Sequence, residues 1–202
     1  KTAGSTAWKG MADMTKKERA RAIVEELKAL YPEGICSLNY PKPYELLFAV
    51  RLSAQCTDER VNMVTPALFA RFPTLEALAQ ADTERLMKLW EGLGYYSRVR
   101  NLQKAARIVC EQYGGQLPGD LAALKKLPGI GDYTAGAIAS IAYGQPEPAV
   151  DGNVLRVLAR LLASEEDIAL AGTKARFTAL LRQSYPSGKE AALLTEGIME
   201  LG

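Results

Sequence analysis

The residues with the clearest chemical potential fall in two short stretches. Val150-Asp151-Gly152-Asn153-Val154 places a carboxylate, Asp151, at an expected helix start after a proline-containing loop. Aspartate is a favoured N-cap residue, and the cap role alone would account for it. An anion fixed there can also stabilise a cationic, oxocarbenium-like sugar as a base departs. The second stretch, Leu127-Pro128-Gly129-Ile130-Gly131, is a tight turn between two helices, with Tyr133 just beyond it. Tyr133 is either a packing aromatic or one wall of a pocket facing Asp151.

The turn has a physical logic of its own. Pro128 stops the incoming helix because it lacks an N–H and disfavours a helical conformation at Leu127. Gly129 and Gly131 allow a sharp turn and leave backbone amides uncovered, so a phosphate can rest against them and the positive end of the next helix. Lys125 and Lys126 flank the turn, and Thr134-Ala135-Gly136-Ala137 opens a small-residue helix able to pack closely. This combination predicts contact with a nucleic-acid backbone through Lys125, Lys126, Leu127, Gly129, Gly131 and Thr134, without base readout. Arg98 and Arg100, beside Tyr95 and Tyr96, are either solvated charges or further phosphate contacts. Gln55, polar within an apolar segment, is read equally as a buried helix-end hydrogen bond or a contact to an opened base pair.

Short helices must position these groups. Thr15 and Glu18 form a capping-box pattern ahead of a helix to Leu30, stopped by Pro32 and Gly34. A strongly apolar helix over Tyr44–Cys56 is expected to be buried on most sides. Further helices are expected near 58–71, 74–80 and 83–90, then a basic helix after the Leu89–Tyr96 turn. Others follow at 119–126, Asp132–Ala142, Asp151–Leu162, Lys174–Ser184 and 189–201. No alternating strand pattern occurs, so the class is all-α.

Composition narrows the function classes. The formal net charge is +2, too small to argue nucleic-acid binding without a local concentration of charge. The absence of histidine excludes a histidine base or metal ligand within this sequence. The three cysteines, Cys36, Cys56 and Cys110, lie far apart without metal-ligand spacing, which fits a reducing cytoplasmic setting. No apolar run approaches membrane-spanning length, and no membrane partner is expected. Residues 1–13 read as a leader or tag outside the fold.

These motifs resemble the helix-hairpin-helix base-excision DNA glycosylases over most of residues 14–202. The resemblance implies two helical lobes: a six-helix barrel at 35–145, carrying the hairpin at 127–131, and a terminal-helix lobe from 14–34 and 146–202. It implies a monomer acting on double-stranded DNA with a damaged or mispaired base, which is flipped out of the stack. Asp151 matches the family's essential aspartate. Pro43-Tyr44-Glu45-Leu46-Leu47-Phe48-Ala49-Val50-Arg51-Leu52-Ser53-Ala54-Gln55-Cys56-Thr57-Asp58 is similar to the endonuclease III branch. Trp90-Glu91-Gly92-Leu93-Gly94-Tyr95-Tyr96-Ser97-Arg98 and Asp151-Gly152-Asn153-Val154 look like the branch that removes adenine opposite 8-oxoguanine.

Where the lyase branch carries a Schiff-base lysine this sequence has Tyr133, so no lysine-dependent strand cleavage is expected. Where the adenine branch carries a glutamate acid it has Val50, or Arg51 under a one-residue shift. The family's iron–sulfur cluster needs four cysteines just past Met199-Glu200-Leu201-Gly202, and none of the three here matches, so no cofactor is expected within this sequence. The leading expectation is an adenine-mismatch DNA N-glycosylase. Two alternatives stay open: an endonuclease III-like oxidised-pyrimidine enzyme, and a catalytically impaired or chimeric DNA-binding relative.

Overall fold

The computed structural model describes residues 14–31, 38–54, 56–89 and 96–202. The leader at 1–13, Cys36, Gln55 and the turn residues Trp90–Tyr95 lie outside the described residues. Among those described, every regular element is helical and none is a strand. None of these helices is long and apolar enough to cross a membrane.

Helix starts follow local capping chemistry. Before α1 (Lys16–Leu30), Thr15 accepts from the Glu18 amide while the Glu18 carboxylate accepts from the Thr15 amide, closing the expected capping box. α2 (Pro43–Ser53) begins at its proline and stops short of Cys56. Its residues Tyr44 to Val50 are all buried, because the helix runs through the middle of its lobe rather than along a surface. Thr57 caps α3 (Asp58–Arg71) and Thr74 caps α4 (Leu75–Gln80). α5 (Thr83–Leu89) and α6 (Tyr96–Tyr113) follow, and Asp120 caps the short α7 (Leu121–Lys125).

α8 (Asp132–Ala137) leaves the hairpin and runs straight into a π-helical turn, Ile138–Ala142. The sequence pattern gave no sign of this widening. A buried chain of hydroxyls accompanies it. Tyr185 and Thr195 hydroxyls lie 2.7 Å apart, Thr195 donates to Ser140 Oγ at 2.8 Å, and Ser140 donates to the Gly136 carbonyl at 2.8 Å. π-turns of this kind interrupt α-helices most often where a function needs the local geometry. α9 (Gly152–Leu161), α10 (Ala171–Arg182) and α11 (Lys189–Leu201) complete the chain. α10 starts three residues ahead of Lys174, at Ala171, after Leu170 in extended conformation.

Two apolar cores result. One gathers α2 to α8 around Phe48, Leu78, Leu86, Leu102 and Ile138. The other joins α1 to α9, α10 and α11 around Val24, Leu27, Val154 and Phe177. Ala149 belongs to the first and Val150 to the second, so the chain crosses between cores immediately before Asp151.

Candidate active site

The approach to Asp151 is set by a glycine. A Cβ built on Gly136 would stand 2.5 Å from the Pro148 carbonyl oxygen and 3.2 Å from the Ala149 Cα. Only a residue without a side chain lets α8 press on the strand of chain that delivers Asp151, which is the close packing expected of this small-residue helix.

Asp151 is the N-cap of α9. Its Oδ1 accepts the Val154 amide at 2.9 Å and its Oδ2 accepts the Asn153 side-chain amide at 3.0 Å. Arg156 in turn donates to Asn153 Oδ1 and to the Gly202 carbonyl, tying this cap to the end of α11. Both carboxylate oxygens are therefore held in place, one by main chain and one by a braced side chain.

A cleft of about 500 Å³ opens beside Asp151, within the range of small-molecule sites. Tyr133, Val50, Leu46, Asp58 and, from α11, Glu196, Met199 and Glu200 also line it. The Tyr133 hydroxyl reaches across to Met199 Sδ at 3.5 Å. Burial, then the charges of Asp151 and Asp58, push the Tyr133 phenol up to about 12. It is a neutral hydrogen-bond donor at physiological pH, unable to form an imine or to act as a phenolate base.

The hairpin residues divide by exposure. Gly129 has φ +77°, and its missing side chain makes room for Asn101. Gly131 differs from expectation: its φ of −92° is open to any residue, so the turn does not require it as a glycine. What Gly131 provides is clearance, since an added Cβ would meet nothing within 4 Å. Leu127 and Thr134 are only 2% and 4% exposed, so their side chains cannot meet a strand and only their main chain remains available. Lys126 is exposed at the end of α7. Lys125 is already engaged, its ammonium 2.5 Å from Asp132 Oδ1. That contact, with Lys174 and Arg182 nearby, holds the Asp132 carboxyl below its ordinary range.

A second groove of about 420 Å³ runs past Lys125, Asp132, Lys174 and Arg182, and Tyr133 lines it as well. Arg98 and Arg100 do not act as a pair. Arg98 is half-buried and donates to the Arg51 carbonyl at 3.4 Å, whereas Arg100 is exposed beside Met87. Two residues apart on a helix, they project in different directions. Burial and the Arg98 guanidinium weaken the hold of Arg51 on its proton.

Sequence reasoning missed Glu196, Met199 and Glu200. Their spacing puts them on one face of α11, yet which face meets the cleft depends on packing between distant segments. A four-cysteine cluster does not fit the described residues. Cys56 lies between α2 and α3 and Cys110 on α6, and no group of three or more His, Cys, Asp or Glu side chains converges among the described residues to hold a metal. Burial, with Glu76 and Glu111 adding to it, pushes the Cys110 thiol up, away from the thiolate a metal would need.

Known proteins extend these observations. Residues 48–183 match the model of the HhH-GPD superfamily base excision DNA repair proteins. Endonuclease III of Synechocystis sp. is 43% identical over 149 residues, covering 73% of this chain and 68% of that protein. Adenine DNA glycosylase of Rattus norvegicus is 54% identical over 98 residues, covering 48% of this chain and 19% of that protein. Among solved structures, a non-covalent endonuclease III–DNA complex aligns with a TM-score of 0.75 at 33% identity, covering 94% of this chain and 86% of the other. By this match in sequence and in fold, the chain belongs to the HhH-GPD superfamily of base excision DNA repair proteins.

Proposed function

We propose that this chain is a monofunctional DNA N-glycosylase of the adenine-mismatch type, hydrolysing the glycosidic bond of an adenine opposite 8-oxoguanine. The observation that carries the reading is the cleft shared by Asp151 and Tyr133, whose phenol is raised by burial and by the neighbouring carboxylates. Asp151, its two oxygens held by the Val154 amide and by Asn153, sets a fixed negative charge beside the sugar carbon. Tyr133 lines the base pocket, and a water completes hydrolysis. With a phenol where the lyase branch has a lysine, no Schiff base forms and no strand is cut through one. The hairpin main chain from Leu127 to Thr134, with Lys125 and Lys126, holds the backbone of a duplex. Arg100, exposed on α6, adds a phosphate contact.

The test is base release from duplexes carrying adenine opposite 8-oxoguanine, thymine glycol, or thymine opposite guanine. Release from the first, abolished in Asp151→Asn and without borohydride-trapped adduct, is the expected result. Release from thymine glycol with a trapped adduct would instead favour the endonuclease III-like alternative, which rests on the longer match to that branch. Undiminished release by Asp151→Asn would remove the role given to that residue.

A further inference from the structure

Loss of a purine needs a proton on the departing base as well as a stabilised sugar cation. α2, where the resemblance expects that acid, presents Val50 to the cleft, and Val50 is only 4% exposed. Arg51, next to it, is a cation. Glu45 on the same helix is buried, but it sits by Lys42 at the helix start and is not among the cleft residues. The acid must come from another wall.

We infer that Glu196 of α11 is the proton donor, facing the departing base from the α11 wall of the cleft. This deepens the glycosylase reading and rests on it. Glu196 lines the cleft and is half-buried, while Glu200, one turn on, is exposed. The rotation of α11 is set on both sides of Glu196: Thr195 is 1% exposed and bonded to Ser140, and Gly197 lets Leu27 approach so closely that a Cβ would stand 2.6 Å from it. Three residues further, Met199 meets the Tyr133 hydroxyl, so Glu196 stands one helical turn from a group already placed in the pocket. Asp58, the first residue of α3, also lines the cleft, and its charge adds to the burial that raises the Tyr133 phenol.

The step balances within the site. The Glu196 carboxyl proton passes to a ring nitrogen of the base, and the electron pair of the N-glycosidic bond leaves with that base. C1′ becomes the cation held by Asp151, and water adds its oxygen there. The proton that water sheds restores the Glu196 carboxyl.

Single-turnover release of adenine opposite 8-oxoguanine, followed across pH for the full chain, tests this. Wild type should lose rate as pH rises and the donor deprotonates. Glu196→Gln should fall by about 100-fold or more and lose that decline. Glu196→Asp, which keeps the acid, should retain the decline at a reduced rate. A Glu196→Gln enzyme at wild-type rate, or one slowed equally at every pH with the decline intact, overturns the inference. So does transfer of the effect to Glu200→Gln. If Asp151→Asn is dead while Glu196→Gln is fully active, only this inference fails. If wild type releases no base from any of the three duplexes, the glycosylase reading falls and this inference with it.

Discussion

The ion pair between Lys125 and Asp132 makes a specific prediction for DNA affinity. Lys125 can hold a phosphate only by leaving a carboxylate 2.5 Å away. The two side chains are 47% and 74% exposed, so the pair belongs to the solvent-screened class, worth at most about 1 kcal/mol. Asp132→Asn should therefore cost little in folding. It frees the ammonium and removes a negative charge from beside the strand. The released pairing energy corresponds to an affinity gain of up to about fivefold. One more phosphate contact should also steepen the dependence of log K on log salt by about 0.9. Fluorescence anisotropy with a duplex carrying a non-hydrolysable abasic analogue, at about 50 to about 200 mM salt, reads both quantities. Because its partners hold the Asp132 carboxyl below its ordinary range, it stays ionised and the gain should not vary across neutral pH. An unchanged or weaker affinity with the same salt slope would refute the placement of Lys125 against a strand.

Three other perturbations follow from the packing. Gly136→Ala should destabilise by about 1–3 kcal/mol, since its methyl meets the Pro148 carbonyl, and base release should drop with the displaced Asp151 loop; thermal melting and single-turnover kinetics report each effect. Thr195→Val removes the hydroxyl partner of buried Tyr185, while Ser140 keeps its bond to the Gly136 carbonyl, and should lower stability by about 1–3 kcal/mol in urea titration. Tyr133→Phe tests the raised phenol. A pKa lifted from 10.0 to about 12 on folding gives stability that is full below pH 10 and fades as pH rises through about 12. The variant should show a shallower alkaline loss of stability than wild type, and an identical curve would contradict the raised value.

Local chemistry was the legible part of this sequence. Thr15 and Asp151 announce helix starts because a cap needs only a side-chain oxygen and the amide three residues on. The close packing of α8 was readable because only a run of small residues permits it. The roles that depended on tertiary context were not. Gly131 resembled Gly129 in sequence, yet only one of them has a positive φ. Thr134 is expected among the backbone contacts, yet its side chain is buried, because the lobe closes over that face of α8. The hydroxyl contact at the π-turn joins Ser140 to Thr195, 55 residues away. Glu196 entered the cleft through the packing of α11, which no local pattern encodes.

Tyr133 belongs to two hollows at once, the acidic cleft beside Asp151 and the basic groove beside Lys174 and Arg182. The residue is common to linings of opposite charge. Under the proposed reading, a strand in the groove and a base in the cleft would meet the same residue. Whatever fixes the groove side of this one residue would then reach the cleft without touching it.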